Sequence, residues 1–122
     1  NNGSITSAIF LNDFNYGNQG DMLAVFVDGQ LRGVAIPTEV PFGPYANTYQ
    51  FLMMLYSNLS SGEILTFKFY DSETDVVYYI SGGSTCLDDG DLCNEDGTVD
   101  WVSDMAIGNV ENPVIFTLAI VE

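Results

Sequence analysis

Between Glu63 and Tyr70 the side chains alternate, with Leu65, Phe67 and Phe69 on one face and Ile64, Thr66, Lys68 and Tyr70 on the other. A repeat of two sends successive side chains to opposite sides of an extended strand, so the first set is the predicted buried face. The same repeat returns near the end, where Val114, Phe116, Leu118 and Ile120 oppose Ile115, Thr117, Ala119 and Val121. Further strands are predicted over Ser4 to Asn12, Met22 to Val27, Gln30 to Ile36, Tyr49 to Tyr56, Val76 to Ile80 and Val99 to Val102. Met22 to Val27 is apolar enough to be buried on both faces. Tyr49 to Tyr56 could be helical by periodicity alone, but its shortness and flanking turns favour a strand. No amphipathic helical pattern persists over three turns.

Turn chemistry separates these runs. Asp28-Gly29 between two apolar stretches is a strong hairpin signal, because both residues tolerate positive φ. Asn12 to Asp21 is rich in Asn, Asp and Gly and reads as a loop. Thr38 to Thr48, with Pro37 beside it and Pro41 and Pro44 inside it, is predicted to be irregular. Ser81 to Gly97 is the longest irregular stretch. Roughly eight short strands with regular turns predict an all-β fold, an antiparallel β-sandwich of about seven to nine strands, immunoglobulin-like or jelly-roll-like. One domain over residues 1–122 fits the length.

Charge changes the picture more than composition does. Seventeen Asp and Glu face only Arg32 and Lys68, with no His, for a net charge of −15. Such a field opposes nucleic-acid binding, which needs cations to release phosphate counterions. It opposes anionic membrane surfaces as well. No run approaches the roughly 18 apolar residues of a membrane helix, so membrane insertion is not expected. The field does attract cations, calcium above all. A solvated acidic shell that maintains solubility is the alternative. Eight Phe, seven Tyr and one Trp supply enough apolar material for a core.

Lack of His removes the commonest general base and excludes Ser-His-Asp and Cys-His nucleophile pairs. Gly82-Gly83-Ser84 has neither the spacing nor the Lys of a phosphate-binding loop. Paired carboxylates remain, as in glycoside hydrolysis. A domain this small leaves little room for a deep cleft, and the chain is expected not to be an enzyme.

The acidic segment is the leading candidate site. Asp88, Asp89, Asp91, Glu95 and Asp96 are spaced with glycines in a way that suits a calcium ion, which takes six to eight oxygens from a flexible backbone. The EF-hand pattern, aligned on Gly97, fails at Leu92 and Ser103, so an irregular loop site is expected. A solvated loop held only by a disulfide is weighed equally against it. That disulfide would join Cys86 and Cys93 in an oxidising compartment. Asn12, Asp13, Asn15, Asn18 and Asp21 form a second Asx-rich cluster, expected to serve backbone hydrogen bonds. Asn2-Gly3-Ser4 and Asn58-Leu59-Ser60 are glycosylation sequons, consistent with an extracellular or cell-surface location. Among Tyr16, Phe42, Tyr45, Tyr49 and Trp101, Tyr45 and Trp101 are the candidate platforms for a sugar ring. A chain beginning at Asn1 reads as a mature protein or a module of a longer one.

Gly20-Asp21-Met22-Leu23-Ala24-Val25-Phe26-Val27-Asp28-Gly29, continuing through Arg32-Gly33-Val34-Ala35, resembles a module found, often in tandem copies, in secreted and cell-surface proteins of marine microbes and algae. Ser61-Gly62-Glu63 through Phe67-Lys68-Phe69-Tyr70-Asp71, and Val102-Ser103-Asp104-Met105 with Gly108 and Asn112-Pro113, are similar to its later blocks. The resemblance implies an extracellular β-sandwich repeat in an adhesive or filamentous assembly, with Arg32 anchoring acid groups of a neighbouring loop. It implies no catalytic activity. Cys86 to Gly97 departs from the pattern, so any special function of this copy is expected there. The expected function is thus a structural module of a surface filament, sheath or adhesin, cation-stabilised and partnered by copies of itself or neighbouring repeats. A calcium-dependent carbohydrate-binding module with glycan partners is the alternative.

Overall fold

A computed structural model describes residues 1–84 and 92–119. All eleven elements among the described residues are strands: β1 (Asn2–Leu11), β2 (Phe14–Asn15), β3 (Met22–Val27), β4 (Gln30–Ala35), β5 (Pro37–Glu39), β6 (Tyr49–Tyr56), β7 (Ser61–Asp71), β8 (Val76–Gly83), β9 (Val99–Val102), β10 (Ala106–Ile107) and β11 (Val114–Leu118). They join in one nearly closed, barrel-like sheet of order β4-β3-β7-β8-β11-β1-β6-β5, with β2 and β10 on β1 and β9 on β7.

The sheet is mixed, which corrects the expectation of purely antiparallel pairing. β1 runs parallel to β10 through Ser4↔Ala106 and Ile5↔Ile107, and to β11 from Ser7↔Val114 to Phe10↔Thr117. Parallel neighbours cannot be joined by a tight turn, and here almost the whole chain intervenes. β1 pairs antiparallel with β6 along its other side, from Asn2↔Tyr56 to Ser7↔Phe51. Backbone hydrogen bonds on both sides make β1 central, and Ala8 and Ile9 are completely buried.

Local chemistry accounts for the joints. Asp28 and Gly29 both have positive φ, 50° and 80°, as a type I′ turn between β3 and β4 requires. Gly33 lies so close to β6 that an added Cβ would sit 3.1 Å from the Met54 carbonyl oxygen. That close approach draws the β4 end of the sheet over the β6 end.

Alternation fills the interior. Leu65, Phe67 and Phe69 of β7 are buried, as are Leu23, Val25 and Val27 of β3 and Phe51, Met53 and Leu55 of β6. Phe51 meets Phe69 edge-on at 5.7 Å between ring centroids, and Phe67 packs on Phe116 at 4.6 Å. These contacts place β6 and β7 on facing walls of one core. β3 is not buried on both faces as expected: Met22 is exposed, and Ala24 and Phe26 are half-buried. The wall beyond it belongs to solvent.

Candidate functional site

The two basic residues occupy two different settings. Arg32, on β4, donates from Nη1 and Nη2 to Oε1 and Oε2 of Glu63 on β7, at 3.1 and 2.8 Å. Ser57, in the turn after β6, gives its hydroxyl to Glu63 Oε1 and accepts the Leu59 N–H. The Arg32 hydrogen bonds, then that from Ser57, hold the Glu63 carboxyl below its ordinary range, and Glu63 raises Arg32 in turn. Arg32 thus anchors an acid of strand β7, and the acid is fully engaged. A shallow cavity of about 420 Å³ opens beside the pair, edged by Gln30, Tyr56 and Asn58. Its two charges are spent on each other, so it presents a neutral clasp to any ligand.

Lys68 is differently placed. Strand register sets Val34, Ala24, Lys68 and Tyr79 in one row across β4, β3, β7 and β8, and Met22, Tyr70 and Val77 in the next. These side chains face away from the core, because Phe67 and Phe69 beside them face into it. The Lys68 ammonium stands 5.0 Å from the Phe26 ring centroid and 5.4 Å from that of Tyr79. Aromatic faces attract a cation through their quadrupole, so the lysine is held over the sheet. Around it lies an apolar groove of about 400 Å³. Leu31, Val34, Val77 and Tyr79 are exposed, Tyr79 at 59%. Among the described residues no carboxylate pairs with Lys68.

A second apolar strip lies on β6. Leu52, Met54 and Tyr56 are exposed, Met54 at 69%, alternating with the buried Phe51, Met53 and Leu55. Exposed Ile36 lies just before β5, the strand alongside β6. Sequence reasoning missed both patches as surfaces. The alternation that marks a buried face also names its exposed partner, and in β6 and β3 that partner is apolar too.

The described residues among those singled out from sequence do not gather at one site. Asp96 Oδ1 accepts the Thr98 N–H at 2.9 Å and the Thr98 hydroxyl at 2.7 Å, which lower its pKa. Glu95 is exposed, and Cys93 is buried, bridged through its backbone to Val99. Asp88, Asp89, Asp91 and Cys86 lie outside the described residues. No group of three metal-ligating side chains occurs among the described residues. The two sequon asparagines, Asn2 and Asn58, are both exposed.

Trp101 is corrected as a ligand platform. It is 1% exposed, its indole N–H is given to the Leu59 carbonyl at 2.7 Å, and Gly3 lies against its ring. Its place in β9, on the inward side with Val99, puts the ring in the core. Tyr45 is half-buried, with its carbonyl taken by Thr48, whereas Phe42 stands out at the loop tip. In the Asx-rich loop, Asp21 accepts from Asn18 N, Ser72 N and the Ser72 hydroxyl, the backbone-directed role expected of it. Tyr16 is drawn inward instead. Its hydroxyl donates to the buried Asp71 at 2.5 Å, which raises the tyrosine pKa.

Searches for similar proteins returned no matching family model, no matching curated protein and no matching solved structure.

Proposed function

We propose that this chain is a non-catalytic module of an extracellular or cell-surface assembly, built to contact further copies of itself or neighbouring repeats. The observation that carries the proposal is the apolar outer face around Lys68. Leu31, Val34, Val77 and Tyr79 are exposed together there, and a contiguous exposed apolar patch is a candidate contact surface. The Asp21 and Asp71 carboxylates, the buried acids nearest to an enzyme's requirement, are occupied as acceptors by backbone and hydroxyl donors. The resemblance to secreted tandem modules points the same way, as does the facing of β6 and β7 across the core, on which a sandwich architecture of immunoglobulin or jelly-roll type would rest.

Two elements complete the proposal. A Cys86–Cys93 disulfide closes the acidic segment, and calcium held by Asp88, Asp89, Asp91, Glu95 and Asp96 stiffens it, with Asn2 and Asn58 on the surface available to glycans. Electron microscopy and light scattering of the chain, with calcium and with chelator, test both parts. Assembly that weakens on chelation is expected. A monomer under both conditions, retarded on a glycan column, sinks the proposal in favour of a calcium-dependent carbohydrate-binding module.

A further inference from the structure

The two sequons, far apart in the chain, meet at one aromatic residue. Register sets Asn2 of β1 directly opposite Tyr56 of β6, and Tyr56 stands two residues before Asn58. Tyr56 is 55% exposed. With Asn58 it borders the shallow cavity beside Gln30 and Arg32.

The settings of the two sequons differ. Asn2-Gly3-Ser4 is built into β1: the Asn2 carbonyl takes the Asp104 N–H at 2.8 Å, the Ser4 N–H goes to the Met105 carbonyl at 2.9 Å, and Gly3 is buried against Trp101. An acceptor peptide must leave its neighbours to enter a transferase, and this one would have to leave a sheet. Asn58-Leu59-Ser60 lies between β6 and β7 with all three residues exposed. Its course is fixed through the backbone. The Leu59 N–H goes to the Ser57 hydroxyl, the Leu59 carbonyl takes the Trp101 indole N–H, and the Ser60 carbonyl takes the Ser103 N–H at 2.8 Å.

We propose that Asn58 carries an N-linked glycan whose first N-acetylglucosamine lies on the exposed ring of Tyr56, in the hollow edged by Gln30 and Arg32. This rests on the reading of the chain as an extracellular module, since the donor, a lipid-linked oligosaccharide diphosphate, is met on the secretory route. The Asn58 amide nitrogen bonds to C1 of the donor sugar and gives up one proton. The C1–O bond to the diphosphate breaks, and the lipid diphosphate leaves with the electron pair. One face of the sugar is lined with C–H groups, which suit the apolar, electron-rich face of an aromatic ring. The Arg32 guanidinium is spent on Glu63, so the hollow is neutral, as an uncharged sugar requires.

The test secretes the whole chain from a eukaryotic host and maps its peptides by mass, with and without peptide-N-glycosidase. Asn58 is expected to be occupied, and a chain bare at Asn58, or occupied at Asn2 alone, overturns the proposal. Stacking is then read in the Asn2→Gln background. The glycosylated chain is expected to melt at least about 2 °C above its Ser60→Ala counterpart, which lacks the hydroxyl the transferase needs. That gain is expected to persist after trimming to the first sugar and in Tyr56→Phe, and to vanish in Tyr56→Ala. Comparing each pair within one Tyr56 background cancels the effect of the substitution itself. The first sugar's ring protons are expected to show upfield ring-current shifts in the Tyr56 chain. No gain, a gain that survives Tyr56→Ala, or unshifted sugar protons overturns the placement on Tyr56. Light scattering keeps the two readings apart. A chain that assembles with Asn58 bare overturns the glycan alone, and one glycosylated at Asn58 that never assembles overturns the assembly reading alone.

Discussion

Arg32 and Glu63 meet fork to fork, two parallel hydrogen bonds joining β4 to β7, although 31 residues separate them and β3 lies between their strands. Bidentate geometry makes such a pair directional as well as attractive. With Ser57 added, the clasp ties one edge of the sheet to the turn that follows β6.

Glu63 has a lowered folded-state pKa, so its stabilisation is fully present above the unfolded value of about 4.3 and fades as pH falls through the folded one. Glu63→Gln is therefore expected to lower Tm at pH 7, and its deficit relative to the native chain should shrink as pH drops below about 4. Thermal melts of both proteins from pH 7 to pH 3 check this. A deficit independent of pH would show that the ion pair is not its source.

Asp71 follows the same sign for a different reason. Burial pushes its pKa up, but donation from the Tyr16 and Thr74 hydroxyls and from backbone N–H groups together pulls it below the ordinary value. Tyr16→Phe removes one donor from this 4% exposed carboxylate, and leaving a buried acceptor short costs about 1–3 kcal/mol. Acid unfolding of the variant is expected to begin at higher pH than in the native chain, measurable by circular dichroism.

Trp101 is the chain's only tryptophan, so its fluorescence reports one environment. Emission typical of a buried indole, unchanged by added oligosaccharides, is expected. Gly3→Ala would set a Cβ 2.7 Å from the Trp101 ring, an overpacking that costs about 1–3 kcal/mol. A red shift in emission and a lower urea midpoint would register it.

Gly108 tests the parallel junction. It has φ of 74° and lies against the Thr6 carbonyl, between the β1 residues that pair with β10 and those that pair with β11. Gly108→Ala is expected to destabilise by about 1–3 kcal/mol or more, since a left-handed conformation and a steric overlap act together. Hydrogen exchange should quicken first at the Ser4 to Ser7 amides.

Much of this fold was legible because strand periodicity and turn chemistry are local. The bounds of β3, β6 and β9 coincide with the expected runs, and Asp28-Gly29 makes the expected turn. Ala106–Ile107 escaped notice because two residues carry no period; only their pairing with Ser4 and Ile5 makes them a strand. Trp101 was misplaced for a related reason. An isolated aromatic beside an acidic segment gives no sign of its side of the sheet, and burial against Gly3, distant in sequence, decided it.

By itself the amino-acid order determined which segments extend, where they turn, which side of β7 is apolar, and that an acidic chain without histidine would carry two cations. Those properties reside in φ preferences, side-chain alternation and formal charge, each set within a few residues. Folding decided that β1 runs parallel to β11, that Arg32 is spent on Glu63, and that Lys68 stands among apolar groups outside the core. These are matters of which strands adjoin and which walls face, and contacts between residues far apart in the chain exist only once the sheet has curled round its core.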